Sequence, residues 1–259
     1  MDLGLKGRKA IVCASSRGLG KACAMALARA GCDVVVNGRT EDTLEDTAAE
    51  IAAATGVEVR AVAADVSTAD GQAALLRACP SPDILVNNNG GPPRRDFRAL
   101  SRDDMVEGVI QNMVTPLELT QAVIDGMAER GFGRIVNVTS LSVYMPIPGL
   151  DLSSGARAGL TAFLAGVARG VADRNVTINA LLPGKMDTDR LRSGFAFGAE
   201  KAGITPDEEA ARQRAEIPAA RFGTPEEFGA ACTFLCSVHA GYITGQNIRM
   251  DGGLHGSAF

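Results

Sequence analysis

Glycines 18 and 20 and arginines 17 and 39 are the residues whose types and spacing point first to chemistry. An apolar run over Lys9–Ala14 leads into Cys13-Ala-Ser-Ser-Arg-Gly-Leu-Gly20 and directly into an alanine-rich stretch over Gly18–Ala30. Glycine lets backbone amides approach a ligand closely, and the amides and aligned dipoles at a helix N-terminus favour a phosphate. A pair of glycines also closes ordinary turns; the position between a strand and a helix is what suggests a nucleotide. A second clue lies in Val34-Val-Val-Asn-Gly-Arg39, where an NAD site of this architecture places an acid against the ribose 2′-hydroxyl. Asn37 and Gly38 leave that place uncharged. Arg17 and Arg39 together suit a 2′-phosphate, so NADP(H) is expected over NAD(H). Both arginines also read as solvated surface charges.

The elements that must position these groups alternate in a βαβ rhythm. Strands are expected at Lys9–Ala14, Asp33–Asn37, Val57–Ala63, Ile84–Asn87, Arg134–Thr139, Val176–Leu182 and Asn247–Met250. Helices are expected at Gly18–Ala30, Glu41–Ala54, Thr68–Cys79, Arg102–Arg130, Asp151–Asp173 and Pro225–Ser237. Near-continuous apolar strands such as Ile84-Leu85-Val86 suit a parallel sheet covered on both faces. The expected fold is therefore α/β, a doubly wound parallel seven-stranded sheet of the Rossmann type, in a single domain over residues 1–259. No repeat, linker or low-complexity tract divides the chain.

The 259 residues are 46% hydrophobic, enough for a full core, and 26 basic against 30 acidic residues give a formal charge of −4. No basic field marks a nucleic-acid or anionic-membrane partner. The opening Met-Asp-Leu-Gly-Leu-Lys is not signal-peptide-like, and no apolar run reaches the roughly eighteen residues of a membrane span. A cytoplasmic location is expected. The six cysteines, at 13, 23, 32, 79, 232 and 236, form no CxxC pair and have no histidine beside them, so neither a metal site nor a disulfide framework is expected. They read as small buried hydrophobes, including Cys232 and Cys236, which share a helix face. His239 and His255 lie apart from the motifs and read as surface or interface residues.

Seven segments, in order and on the matching elements, resemble the short-chain dehydrogenase/reductase family over nearly the whole chain. They are Cys13–Gly20, Ala64-Asp65-Val66, Asn87-Asn-Asn-Gly90, Asn112, Gly133-Arg-Ile-Val-Asn-Val-Thr-Ser140, Asn179-Ala-Leu-Leu-Pro-Gly184, and Gly241-Tyr-Ile-Thr-Gly-Gln with Asp251-Gly-Gly253. The resemblance implies that cofactor is held by Ala14, Ser16, Arg17, Gly18, Leu19, Gly20, Arg39, Asp65, Val66, Asn88, Gly90, Pro183, Gly184 and Met186. Asp65 and Val66 would flank the adenine, Asn88 the ribose, and Pro183-Gly184 the nicotinamide. Two departures occur in this half: Ala14 stands for the first glycine of the turn, and Asn89 for the usual alanine.

Family members reduce a carbonyl or oxidise an alcohol with an asparagine, a serine, a tyrosine and a lysine. Asn112 and Ser140 fill the first two places, and the resemblance puts Ser153 and Arg157 where tyrosine and lysine are usual. A phenol lowered by an adjacent cation passes a proton to a carbonyl oxygen. A serine hydroxyl is a far weaker acid and too short for the same reach. Arg157 supplies charge and can bond a nicotinamide ribose, but it stays protonated and relays no proton. Loss of a positioned general acid slows a reaction by about 10²–10⁴.

Three residues are candidate substitutes. Tyr144 is either a proton donor or an aromatic wall of the pocket; Asp151 is either an acid or a helix N-cap; Lys185 is either an amine near the nicotinamide or a solvated lysine. The segment 190–216 is expected to form a lid over the substrate, with Phe195 and Phe197 lining a pocket or anchoring the lid. Gly90-Gly-Pro-Pro-Arg-Arg95 puts two arginines near the mouth, suited to an anionic or acyl-carrier-borne substrate or simply solvated.

Similarity to 3-oxoacyl-acyl-carrier-protein reductases implies an NADP(H)-dependent oxidoreductase acting on a small-molecule or acyl-thioester substrate with a non-standard proton donor. The alternatives are a nucleotide-binding or regulatory homologue without turnover, and a lyase-like activity in the same pocket. The resemblance also implies a homotetramer built through Arg102–Arg130, Asp151–Asp173 and the C-terminal segment.

Overall fold

The computed structural model describes residues 1–91 and 94–257. Seven strands, β1 (Lys9–Val12), β2 (Asp33–Gly38), β3 (Val59–Ala63), β4 (Ile84–Asn87), β5 (Gly133–Val138), β6 (Val176–Pro183) and β7 (Asn247–Met250), alternate with nine helices among the described residues. These helices are α1 (Gly18–Arg29), α2 (Glu41–Thr55), α3 (Ala69–Ala78), α4 (Arg102–Val109), α5 (Thr115–Glu129), α6 (Asp151–Val171), α7 (Asp189–Ala202), α8 (Pro206–Ala215) and α9 (Pro225–Cys236). The strands form one sheet in the order β3-β2-β1-β4-β5-β6-β7, and every pairing is parallel. The fold is the expected single-domain Rossmann architecture.

Apolar strands are continuous because the sheet is covered on both faces. Ala10, Val12, Val34, Val36, Ile84 and Val86 pack with α1, α2 and α9. The alternate residues Ile11, Val35 and Leu85 pack with α3, α5 and α6. Period-two geometry thus sends neighbouring residues into two separate cores. Polar side chains stitch the sheet as well. Asn87 Nδ2 donates to Asn137 Oδ1 at 2.9 Å, across the register Asn87↔Asn137, and Asn137 Nδ2 reaches Asn179 O. All three asparagines are buried.

All six cysteines are free and buried, and loss of solvent pushes the Cys13 and Cys32 thiols up to about 12. No helix among the described residues is long and apolar enough to cross a membrane.

The helix expected over Arg102–Arg130 is interrupted by a π-turn at Ile110–Val114. Pro116 is responsible in part, because it has no N–H to offer the carbonyl of Asn112 four residues back. The bulge leaves Asn112 buried at the junction. Gly108 lets α4 come close to α6, since a Cβ there would stand 2.6 Å from Leu152.

Candidate active site

The sheet order reverses between β1 and β4, and ligands of open α/β sheets bind at such a switch, beyond the carboxyl ends of the strands. At the end of β1 the turn into α1 is held by side chains. Asn37 Oδ1 accepts from Ala14 N at 3.2 Å, while its Nδ2 donates to Val62 O and Ala64 O. The uncharged residue near the end of β2 is therefore a structural tie between the end of β1, β2 and β3. Ser15 Oγ donates to Val12 O and accepts from Asn37 N, and Asn88 Nδ2 donates to Ala14 O at 3.1 Å.

Ala14 adopts φ 44°, a left-handed conformation that a glycine would take without strain. Gly18 also has positive φ, 59°. Gly20 has no room for a side chain, because its Cβ would lie 2.3 Å from Ala14 O and 2.7 Å from Asn88 Nδ2. Helix α1 begins with no side-chain cap and no acidic residue in its first turn. Its amide donors and dipole are thus left for an external anion, which fits a dinucleotide phosphate.

Arg17, within this turn, and Arg39, just after β2, are both exposed. The Asp65 carboxylate is held below its ordinary pKa, chiefly by hydrogen bonds from the Ser67 hydroxyl and amide, with the charge of Arg39 a lesser cause. Val66 is buried beside it, and Leu19 packs partly against the core. Ser16 lies over Gly38, where a Cβ would be 3.2 Å away, and a Cβ at Gly90 would meet nothing within 4 Å among the described residues. Gly184 N bonds Met250 O at 3.0 Å, a contact that brings Pro183-Gly184 against the C-terminal segment. Met186, one of the residues assigned to cofactor, packs its side chain into the core; only its backbone remains for a ligand.

Across the switch point, Ser140 follows β5 and accepts from Ser142 N at 3.1 Å through its Oγ. Asn112 Nδ2 donates to Gly108 O, whereas its buried Oδ1 has no hydrogen-bond partner among the described residues. Ser153 and Arg157, one turn apart on α6, form a unit: Arg157 Nε donates to Ser153 Oγ at 3.1 Å. The guanidinium also donates to Val138 O at 2.6 Å and Asn89 O at 3.4 Å, so it spans the carboxyl ends of β5 and β4. It forms no ion pair with any described carboxylate. Burial, with the charge of Arg190 second, lowers its pKa from the ordinary guanidinium range to about 10.

Several expectations are corrected here. Asp151 is the first residue of α6 and not its N-cap, which is Leu150, and no side chain caps this helix. Lys185 is engaged by Glu216 at 2.5 Å. Arg95 pairs with Asp104 at 2.8 Å, and the charge of Arg94 is a lesser cause, after desolvation, of a lowered Arg190 pKa. The side chain of Phe197, like Pro92 and Pro93, lies outside the described residues; Phe195 is buried and stacks on Phe222.

His255 is not remote from the motifs. Its ring stacks on Tyr144 with centroids 5.8 Å apart, and Arg249 approaches the same tyrosine at 5.6 Å. The His255 Nε2 atom is buried without a partner among the described residues. Sequence reasoning missed it because about 110 residues separate the two rings along the chain and no local pattern links them. His239 matches its surface reading, exposed with Nε2 on Asp2 O.

A family profile described as enoyl-(acyl carrier protein) reductase matches residues 13–255. The 3-oxoacyl-acyl-carrier-protein reductase FabG of Vibrio harveyi is 33% identical, over 98% of this chain and 99% of its own. The structure of L-sorbose reductase from Gluconobacter frateurii complexed with NADPH and L-sorbose superposes with a TM-score of 0.93, at 28% identity and 98% coverage of both chains. YwfH, an NADPH-dependent reductase involved in bacilysin biosynthesis, gives 0.92 at 30% identity, covering 97% of this chain and all of that one. The chain belongs to the short-chain dehydrogenase/reductase family.

Proposed function

We propose that this protein is an NADP(H)-dependent oxidoreductase that reduces a carbonyl or oxidises an alcohol, resembling 3-oxoacyl reductases, with a proton donor other than the usual phenol. The observation that carries the reading is the turn around Gly18 and Gly20. It ends in an uncapped, acid-free helix N-terminus and follows β1 at the sheet switch between β1 and β4. Relatives named as NADPH-dependent reductases support it.

The turn residues Ala14, Ser16, Arg17, Gly18, Leu19 and Gly20 would hold the pyrophosphate and adenosine. Arg17 and Arg39 would take the 2′-phosphate, Asp65 and Val66 the adenine, Asn88 and Gly90 the ribose, and Pro183, Gly184 and the Met186 backbone the nicotinamide. Bound there, the nicotinamide supplies or accepts a hydride. Ser140 Oγ–H hydrogen-bonds the substrate oxygen and stabilises the negative charge that develops on it. Arg157 adds a fixed positive field in a site withdrawn from water, and Ser153 holds the guanidinium by accepting from Nε. Asn112, buried in the π-turn between α4 and α5 with its Nδ2 on Gly108 O, fills the family's asparagine place beside Ser140 in this reading. Neither Ser153 nor Arg157 is an acid at neutral pH, so the proton comes from water or from Tyr144, whose ring is braced by His255 and Arg249.

Helices α7 and α8 form the lid over residues 190–216, latched by Lys185 and Glu216. Met105, Val106, Val109 and Ile110 leave exposed apolar surface on and after α4, and Phe163 does so on α6. Faces of this kind support a homo-oligomer through these helices. The second reading, a binding protein without turnover, is favoured by the closed Ser153–Arg157 pair.

Titration with NADPH by fluorescence, followed by its oxidation against ketones and β-ketoacyl thioesters, tests both. Binding with turnover is expected. Tight binding without turnover on any carbonyl selects the second reading, and no binding removes both.

A further inference from the structure

We propose that Asn89, two residues beyond β4, is a positioning residue for the reaction. Its side chain holds the π-turn that carries Asn112, and its carbonyl holds the guanidinium of Arg157. The inference rests on the oxidoreductase reading and adds a residue to its machinery.

The π-turn creates a backbone acceptor that its own helix cannot satisfy. Thr115 N–H reaches back five residues to Ile110 O, and the next donor in that pattern would run from residue 116 to Gln111 O. Residue 116 is proline and has no N–H. Asn89 supplies the missing donor, with its Nδ2 2.6 Å from Gln111 O. In an unbroken α-helix Thr115 N–H would serve Gln111 O instead, so the Asn89 amide favours the bulged frame over the regular one. Asn87 holds the far side of the same junction, its Nδ2 3.3 Å from Pro116 O.

The frame matters because it sets where Asn112 lies. This residue follows Gln111 directly and is buried with Nδ2 on Gly108 O at 3.1 Å. A slip of one residue between the two frames turns a side chain by about 100° around the helix axis. The carbonyl of Asn89 serves the other half of the site. It accepts from Arg157 Nη2 at 3.4 Å, while Nη1 and Nε of the same guanidinium are held by Val138 O at 2.6 Å and Ser153 Oγ at 3.1 Å. One residue thus joins the turn of Asn112 to Arg157. The cofactor side of the segment is fixed separately, by Asn88 Nδ2 on Ala14 O at 3.1 Å, and truncation of the Asn89 side chain leaves that bond in place.

Asn89→Ala and Asn89→Leu, the second of similar size but without the donor, test the proposal in the whole chain. Hydrogen exchange of peptides spanning residues 108–118, read by mass spectrometry, requires no turnover. Both substitutions are expected to speed exchange there about fivefold or more, as loss of one hydrogen bond to a carbonyl without another donor implies. With a carbonyl compound that the parent protein reduces, kcat falls about tenfold or more while NADPH affinity stays within about twofold. Pro116→Ala returns a backbone donor to Gln111 O in either frame, so in that background Asn89→Ala has a smaller effect on exchange. Unchanged exchange in both variants overturns the proposal, as does a full effect of Asn89→Ala that persists beside Pro116→Ala. Faster exchange with kcat unaltered also overturns it, leaving Asn89 a tie without influence on the reaction. A loss of NADPH affinity as large as the fall in kcat overturns it as well, because the effect then lies in the cofactor cradle. If the parent protein reduces no carbonyl, the oxidoreductase reading fails by itself, and the exchange rates alone decide whether Asn89 holds the turn.

Discussion

Ser153 and Arg157 behave as one unit in this structure, and a double-mutant cycle exposes it. Arg157 is buried, and its Nε has Ser153 Oγ as acceptor at 3.1 Å. Ser153→Ala leaves a buried charged donor unsatisfied, and the expected loss is about 1.5–3 kcal/mol. Arg157→Met acts in two opposing ways. It leaves Val138 O and Asn89 O without this donor, but it also removes a charge whose pKa burial has depressed to about 10. A depressed base is protonated more readily unfolded than folded. This group therefore weighs against folding by roughly 3 kcal/mol at every pH below about 10, relenting only as pH rises above it toward the ordinary guanidinium range. The two effects are of similar size, so Arg157→Met changes stability by about 1 kcal/mol or less in either direction. In that background Ser153 has no charged partner, and Ser153→Ala costs less than about 0.5 kcal/mol. The predicted coupling is then about 1–2.5 kcal/mol. Urea unfolding followed by circular dichroism measures it, at fixed protein concentration since assembly contributes to stability. If Ser153→Ala costs the same with and without Arg157, the hydrogen bond does not hold the guanidinium and the reasoning fails.

The backbone at Ala14, with φ 44°, predicts that Ala14→Gly raises stability by up to about 1 kcal/mol, relief of left-handed strain exceeding the added unfolded-state entropy; a lower melting temperature contradicts it. Arg39→Ala is expected to weaken NADPH about tenfold and leave NADH unchanged, read by fluorescence titration of both; equal losses for the two show that Arg39 does not meet the 2′-phosphate. The Glu227 carboxylate is lowered from 4.5 to about 2, first by Arg221 and then by the Thr224 amide. A lowered acid stabilises the fold above its unfolded pKa, and that contribution is lost as pH falls from about 4.5 to about 2. Acid titration of Glu227→Gln should show a shallower loss in that window than the unsubstituted protein, and identical acid limbs would contradict the pairing.

Strand order, parallel pairing and the glycine turn were legible because period-two apolar runs and glycine placement are local properties. The break at Ile110–Val114 was half legible. Pro116 is visible in the sequence, but a proline near a helix start and one inside a continuous helix look alike until packing fixes the frame. Asn37 illustrates the opposite limit: it was read as an absent charge, yet its amide ties three strands together. The destinations of Arg95 and Lys185, and the meeting of Tyr144 with His255, depend on contacts between distant segments. No periodicity within one segment specifies such pairings.

The placement of Arg157 also bears on how the proposed reaction would respond to pH. A phenol acting as general acid gives a reduction rate that falls as the phenol deprotonates, whereas a guanidinium held by uncharged acceptors keeps its charge throughout the working range. With Ser140 and Arg157 stabilising charge and water supplying the proton, kcat/KM for carbonyl reduction should be nearly flat between about pH 6 and pH 9. If Tyr144 is the donor, Tyr144→Phe lowers kcat/KM by about 10²–10⁴ across that range, whereas an unchanged rate leaves water as the source.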